Sequence, residues 1–200
     1  MFKTPILQSY VGKRVLKYSS ETSISVVPFS PNASFPRYNS QIEINGPKGN
    51  LLLPIPDFIN LSTTVALPKS QAVLAIQDPF NTAQKSLWGT TNTLLSNMIQ
   101  GVEEGFMIPI KLVGVGYRAA LEDGKLVMKL GFAHSVILDV PKNIKVTIPV
   151  PQRIILEGID LAKITQFAAF IRNYRKPEPY NQKGIFVGDE TIKKKEGKKR

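Results

Sequence analysis

Between Thr82 and Gly101 the apolar positions recur at three- and four-residue steps. Leu87, Thr91, Leu94, Leu95, Met98 and Val102 would line one side of a helix, with Gly101 and Gly105 as places to stop. After that the period drops to two: Ile108, Ile110 and Leu112 alternate with other side chains, as do Leu126, Met128 and Leu130. The residues Glu122-Asp123-Gly124-Lys125 between those runs predict a hairpin, because Asp-Gly tolerates positive φ at both central positions. Further strands are predicted at 136–140, 144–148 and 154–156. A second helix begins after Asp160, a good N-cap, with Leu161, Ile164, Ala168 and Ile171 on one face and Phe167 beside them. Pro177 ends it by removing a donor and pushing Lys176 out of the helical region. Arg172, Arg175 and Lys176 are then expected on one side of the last turn, where cations complement the helix dipole.

The first half is β-rich. Residues 28–40, dense in Pro, Ser and Asn, read as an irregular loop between two short strands. Gln41-Ile42-Glu43-Ile44 has strand character, and Asn45-Gly46-Pro47-Lys48-Gly49-Asn50 is a turn before Leu51-Leu52-Leu53. Both halves thus run from strands to one long helix. The expected fold class is α+β, with two similar small domains, each an antiparallel-rich sheet packed against one long helix. The expected boundaries are an extension at 1–8, a first domain at 9–105, a second at 106–187 and a basic tail at 188–200.

Composition narrows the partner. The 200 residues include 26 Lys and Arg against 15 Asp and Glu, a formal charge of +11, and the pI is about 9.8. Residues 172–200 hold ten of those cations and four of the acids. Their company is a proline-locked turn with two tyrosines: Arg172, Arg175, Lys176 and Lys183 offer donors to phosphate, Tyr174 and Tyr180 offer stacking faces, and Gly184 allows close backbone approach. The tail adds Lys193, Lys194, Lys195, Lys198, Lys199 and Arg200, a run expected to order only on RNA. A polyanion, RNA first, is the expected partner. No apolar run approaches the ~18 residues of a membrane span, and no apolar face accompanies the basic tail, so no membrane partner is expected. The first 20 residues hold Lys3, Lys13, Arg14 and Lys17, several hydroxyls and no acid, a pattern shared by mitochondrial targeting segments and by solvated basic termini.

Catalytic readings fail on physical grounds. Gly114-Val115-Gly116-Tyr117-Arg118-Ala119 fits a loose dinucleotide fingerprint, with Asp139 about 20 residues on, but that chemistry needs a helix N-terminus under the pyrophosphate. Here the chain runs extended into a hairpin, so the rival reading, a nucleotide-binding enzyme built on Gly114, is disfavoured against a glycine bend that permits close approach. Lys48 lacks the Gly-Lys-Ser/Thr ending of a phosphate loop and reads as a solvated turn residue. His134, with Ser135 and Asp139, tempts toward a triad, but neighbours on one strand point to alternating faces. One His and no Cys leave no metal set. No catalytic residue, metal, cofactor or small-molecule substrate is expected.

Leu112-Val113-Gly114-Val115-Gly116-Tyr117-Arg118-Ala119-Ala120, Leu130-Gly131-Phe132-Ala133-His134-Ser135-Val136 and the Arg-Lys-Pro-Glu-Pro-Tyr core of residues 172–184 closely resemble the bacterial-type large-subunit ribosomal protein six family. Gly89-Thr90-Thr91 through Asn97-Met98 and Gly101-Val102-Glu103-Glu104-Gly105-Phe106 resemble its central helix, and Ser9-Tyr10-Val11-Gly12-Lys13-Arg14 its usual start. The resemblance is dense from Gly89 to Arg200. It implies a non-enzymatic constituent of the large ribosomal subunit that contacts rRNA near the sarcin-ricin loop, factor-binding region and stalk base. Neighbouring large-subunit proteins, and translational GTPases at the factor-binding region, are the further partners it implies. The segment 175–184 would be the main rRNA contact, although Asn181-Gln182-Lys183-Gly184 stands where the family often has Lys-Gly-Lys-Gly. The longer loop at 28–40 points to an organellar, mitochondrial member, with the bacterial cytoplasm or another organelle as alternatives.

Overall fold

The computed structural model describes residues 12–30, 38–64 and 69–198. The extension at 1–8, Ser9-Tyr10-Val11, the middle of the 28–40 loop (31–37) and the last two tail cations, Lys199 and Arg200, lie outside the described residues. The chain divides into two compact units, Met1–Glu104 and Gly105–Arg200. The fold is α+β, as the alternating strand and helix patterns predict.

In the first unit the strands are β1 (Leu16–Ser19), β2 (Ser23–Pro28), β3 (Ser40–Gly46), β4 (Gly49–Ile55), β5 (Ile59–Thr64) and β6 (Lys69–Ile76), followed by helix α1 (Thr82–Glu103). They form two antiparallel sheets rather than one, ordered β1-β6-β5 and β2-β3-β4. α1 packs on β3, β4 and β6. Ile42, Ile44, Leu74 and Leu95 are fully buried there, each worth about 1.5–3 kcal/mol against exposure.

The buried stripe of the helix overlaps the predicted one and is turned from it. Thr91, Leu95 and Val102 face inward as expected and are joined by Trp88, Asn92 and Ile99, whereas Leu87 and Leu94 are exposed. Two polar anchors rotate the face: Trp88 Nε1 donates to the Leu74 carbonyl at 2.9 Å, and Asn92 Nδ2 donates to the carbonyls of Gly12 at 2.8 Å and Arg14 at 3.1 Å. A buried Asn satisfied in this way looks polar in a hydropathy count and so is assigned outward. Lys48 is not an idle turn residue. Its backbone N–H donates to the Val102 carbonyl at 3.1 Å, and its Nζ donates to the Glu104 carbonyl, so the β3–β4 turn caps α1 with a cation at its negative end.

The second unit runs β7 (Phe106–Val113), β8 (Arg118–Glu122), β9 (Lys125–Lys129), β10 (Val136–Asp139), β11 (Ile144–Val150), β12 (Arg153–Gly158), helix α2 (Leu161–Tyr174) and β13 (Gly184–Val187). Its two sheets are ordered β10-β9-β8 and β11-β12-β7-β13, every pairing antiparallel. The predicted hairpin turn has Asp123 at φ 49° and Gly124 at φ 73°. α2 opens where expected, the Asp160 carboxylate accepting from the Ala162 and Lys163 amides at 3.0 and 3.4 Å. Ile110, Leu126, Met128, Ile154, Leu156, Ile164 and Ile171 make one fully buried core between the sheets and the helix. β13 is the element the pattern does not announce, because four residues after a proline turn carry too little alternation. It joins the sheet beside β7, with Gly184 opposite Val113 and Val187 opposite Ile110.

Candidate nucleic-acid interface

The proline segment is a built turn. Arg175, at φ −149° and ψ 84°, has left the helix, so Arg172, Arg175 and Lys176 do not share one helical side as expected. Pro177 and Pro179 cannot donate, and the donors that remain close the turn on itself. The Glu178 amide donates to the Lys183 carbonyl at 2.9 Å, Gln182 N–H to the Glu178 carbonyl at 3.1 Å, and Ile185 N–H to the Arg175 carbonyl at 2.9 Å. Gly188 N–H donates to the Pro109 carbonyl at 2.8 Å and ties the far end to β7.

Gly184 makes the closure possible. It is buried at φ 146°, and a Cβ there would stand 2.5 Å from Pro177 Cα. The close approach it permits is therefore to Pro177 and not to an outside ligand, which corrects its expected role.

The basic residues separate into two kinds. The Arg172 guanidinium grips Glu190 with both arms, Nε to Oε2 at 2.8 Å and Nη2 to Oε1, with the side chains 30% and 25% exposed. This hydrogen bonding raises the Arg172 pKa and is the main reason the Glu190 carboxyl lies below its ordinary value. Arg172 is thus a brace between α2 and the residues after β13, with two of its five N–H donors committed to Glu190. Arg175 is different. Its guanidinium carbon sits 5.2 Å from the centre of the Phe132 ring, and Nη2 is 3.9 Å from Glu178 Oε1. Phe132 stacks on His134, ring centres 5.8 Å apart and 11° from parallel. Phe132 is 40% exposed and Tyr180 55%. Lys176, Lys193, Lys194, Lys195 and Lys198 are exposed, and Lys183 is half-buried.

The pattern reading missed Phe132 as a member of this surface. Its signal is an aromatic in a short Gly-Phe-Ala-His connection, where core packing gives no reason for a large ring. The tail also differs from the free run expected: Gln182 Nε2 donates to the Ile192 carbonyl at 3.2 Å and Lys195 N–H to the Pro179 carbonyl at 2.9 Å. A proline-rich turn leaves carbonyls without local donors, and the tail backbone supplies one.

Neither the Gly114 loop nor the His134 cluster has the geometry of the enzyme sites weighed for it. The Gly114 loop leads into β8, with no helix N-terminus, and the Tyr117 ring lies over it, 2.8 Å from where a Gly114 Cβ would be. Asp139 pairs with Lys125 at 3.2 Å and His134 faces Phe132, so no Ser–His–Asp relay forms. Among the described residues, no group of three or more His, Asp or Glu side chains could hold a metal ion, and no helix is long and apolar enough to cross a membrane.

Comparison with known proteins gives the surface a context. The family described as "Ribosomal protein L6" matches residues 113–188, which include the Gly114 loop, Phe132, α2 and the proline turn. Over 165 residues the chain is 42% identical to large ribosomal subunit protein uL6 of Fervidobacterium nodosum, covering 80% of this chain and 89% of that protein. It is 42% identical over 192 residues to uL6 of Rhodopseudomonas palustris strain HaA2, covering 96% of this chain and 99% of the relative. It is 41% identical over 168 residues to uL6m of Neurospora crassa, covering 79% of this chain and 65% of the relative.

Proposed function

This chain belongs to the ribosomal protein L6 (uL6) family of the large ribosomal subunit, and from that membership we propose that its proline turn is the contact that docks it on large-subunit rRNA. Its role is structural rather than enzymatic, and its partners are ribosomal RNA and other ribosomal proteins.

The observation that carries the reading is the split among the cations. Arg175, Lys176 and Lys183 lie on a turn closed by its own backbone, beside the exposed Phe132 and Tyr180, while Arg172 commits two donors to Glu190. Donors fixed before binding lose less freedom on contact with a phosphate backbone than donors on a loose loop. The exposed rings suit unpaired bases. Lys193, Lys194, Lys195 and Lys198, with Lys199 and Arg200 beyond them, add charge that lengthens the electrostatic contact.

The rRNA element would be that near the sarcin-ricin loop, the factor-binding region and the stalk base, within reach of translational GTPases; this rests on the resemblance of the turn to the family's. A mitochondrial ribosome is the proposed compartment, supported by the Neurospora uL6m relative and by the acid-free, basic residues 1–20. The test is sedimentation of the tagged chain from fractionated cells. Co-migration with large subunits in the mitochondrial fraction is expected, whereas absence from large subunits would reject the function and their recovery in another fraction the compartment.

A further inference from the structure

Two pairs of cations face each other across strands of the second unit. Arg118 on β8 stands opposite Lys129 on β9, and Lys111 on β7 stands opposite Arg153 on β12. Like charges directly opposite weaken a sheet. Elsewhere in this unit the cross-strand cations are matched: Lys125 lies opposite Asp139 at 3.2 Å, and Lys145 opposite Glu157 at 3.6 Å. Among the described residues, no carboxylate forms an ion pair with Arg118, Lys129, Lys111 or Arg153.

The first of these pairs borders an open cleft of about 550 Å³, shared with Gly116 and the turn at Val150, Pro151 and Gln152. That turn is pinned on both sides, since the Ala119 amide donates to the Pro151 carbonyl at 2.7 Å and the Leu112 amide to the Gln152 carbonyl at 2.9 Å. Gly116 presents bare backbone, with nothing within 4 Å of where a Cβ would be, and Val115 before it is 88% exposed. The loop that carries them follows Val113, the residue paired with Gly184 at the start of β13. The cleft therefore lies past the end of β7 that β13 joins, and it shares no lining residue with the proline turn.

We propose that Arg118 and Lys129 form a second RNA-phosphate site, the cleft receiving backbone that continues past the proline turn. Unneutralised cations held in register are what an extended polyanion requires, and the missing counter-charge is what the sheet leaves for it. Exposed glycine backbone lets a phosphate approach the main chain, which a side chain would prevent. An acidic protein segment would find the same charge, but membership of the uL6 family makes rRNA backbone the polyanion at hand.

This proposal rests on the rRNA reading, and one experiment separates their failures. Large-subunit rRNA is titrated with the full chain and with R118Q/K129Q across a salt series. The double variant is expected to have a log–log salt slope shallower by about 1.4–1.8, two phosphate contacts' worth, and a melting temperature equal to or above the parent's because the repulsion is gone. An unchanged slope overturns the cleft site while leaving the turn intact. A lower melting temperature also overturns it, since the cations would then be serving the sheet. No salt-dependent binding by the unsubstituted chain would reject the rRNA reading itself.

Discussion

Arg172→Ala and Arg175→Ala remove the same charge three residues apart, and they should do different things. Arg172 is held by Glu190 through two arms with both side chains mostly sheltered, so the pair belongs near the upper end of the range for partly exposed ion pairs, about 1 kcal/mol. Loss of the stem's packing and of a partner for Glu190 brings the expected cost of R172A to about 1–2 kcal/mol. For a unit of under about 100 residues that lowers the melting temperature by about 4–16 °C. Because Arg172 holds the Glu190 carboxyl below its ordinary value, the pair contributes fully above the ordinary glutamate range and is lost as pH falls through the lowered folded-state value. The stability gap between parent and R172A is therefore expected to be full at pH 7 and to narrow in strong acid to the part owed to packing. Arg175→Ala should instead leave the stability within about 1 kcal/mol of the parent, the worth of an exposed cation–π contact. Its salt slope for rRNA should fall by about 0.7–0.9, one phosphate contact. Calorimetry across pH and filter binding across salt read both quantities. If R172A loses as much salt slope as R175A, or if its stability deficit does not shrink in acid, the division between brace and contact is wrong.

Gly184→Ala places a methyl 2.5 Å from Pro177 Cα at φ 146°, and should destabilise the second unit by about 2–4 kcal/mol, seen as early chemical unfolding of that unit. Phe132→Ala should weaken rRNA binding by about 1–3 kcal/mol if a base stacks on the ring, with the salt slope unchanged; mobility-shift titration at two salt concentrations checks both. Lys48→Ala removes the cation from the end of α1, leaving the backbone bond to Val102, and should cost about 0.5–1 kcal/mol of stability in thermal melts, with rRNA affinity unaltered.

The sequence was most readable where one signal governs. The Asp123-Gly124 turn, the Asp160 cap and the Pro177 stop are local chemistry, and each stands where its residues place it. The alternation from Ile108 to Leu130 also tracks the core of the second unit. What was not readable depends on distant partners. Asn92 is buried because the carbonyls of Gly12 and Arg14, some 80 positions away, accept from it. Lys48 caps a helix that starts 34 residues later, and Glu190 claims Arg172 from beyond a strand. The candidate surface was legible as charge with aromatics, yet which cation is structural could not follow from composition. Phe132 was hidden because the loop after β9 and the turn after α2 meet only in the fold.

The central claim is that the turn from Arg175 to Lys183 touches rRNA in the assembled large subunit. A photoreactive amino acid in place of Tyr180, which is 55% exposed on that turn, tests it in intact subunits. Crosslinks to large-subunit rRNA are the expected result; crosslinks confined to a neighbouring protein would contradict it.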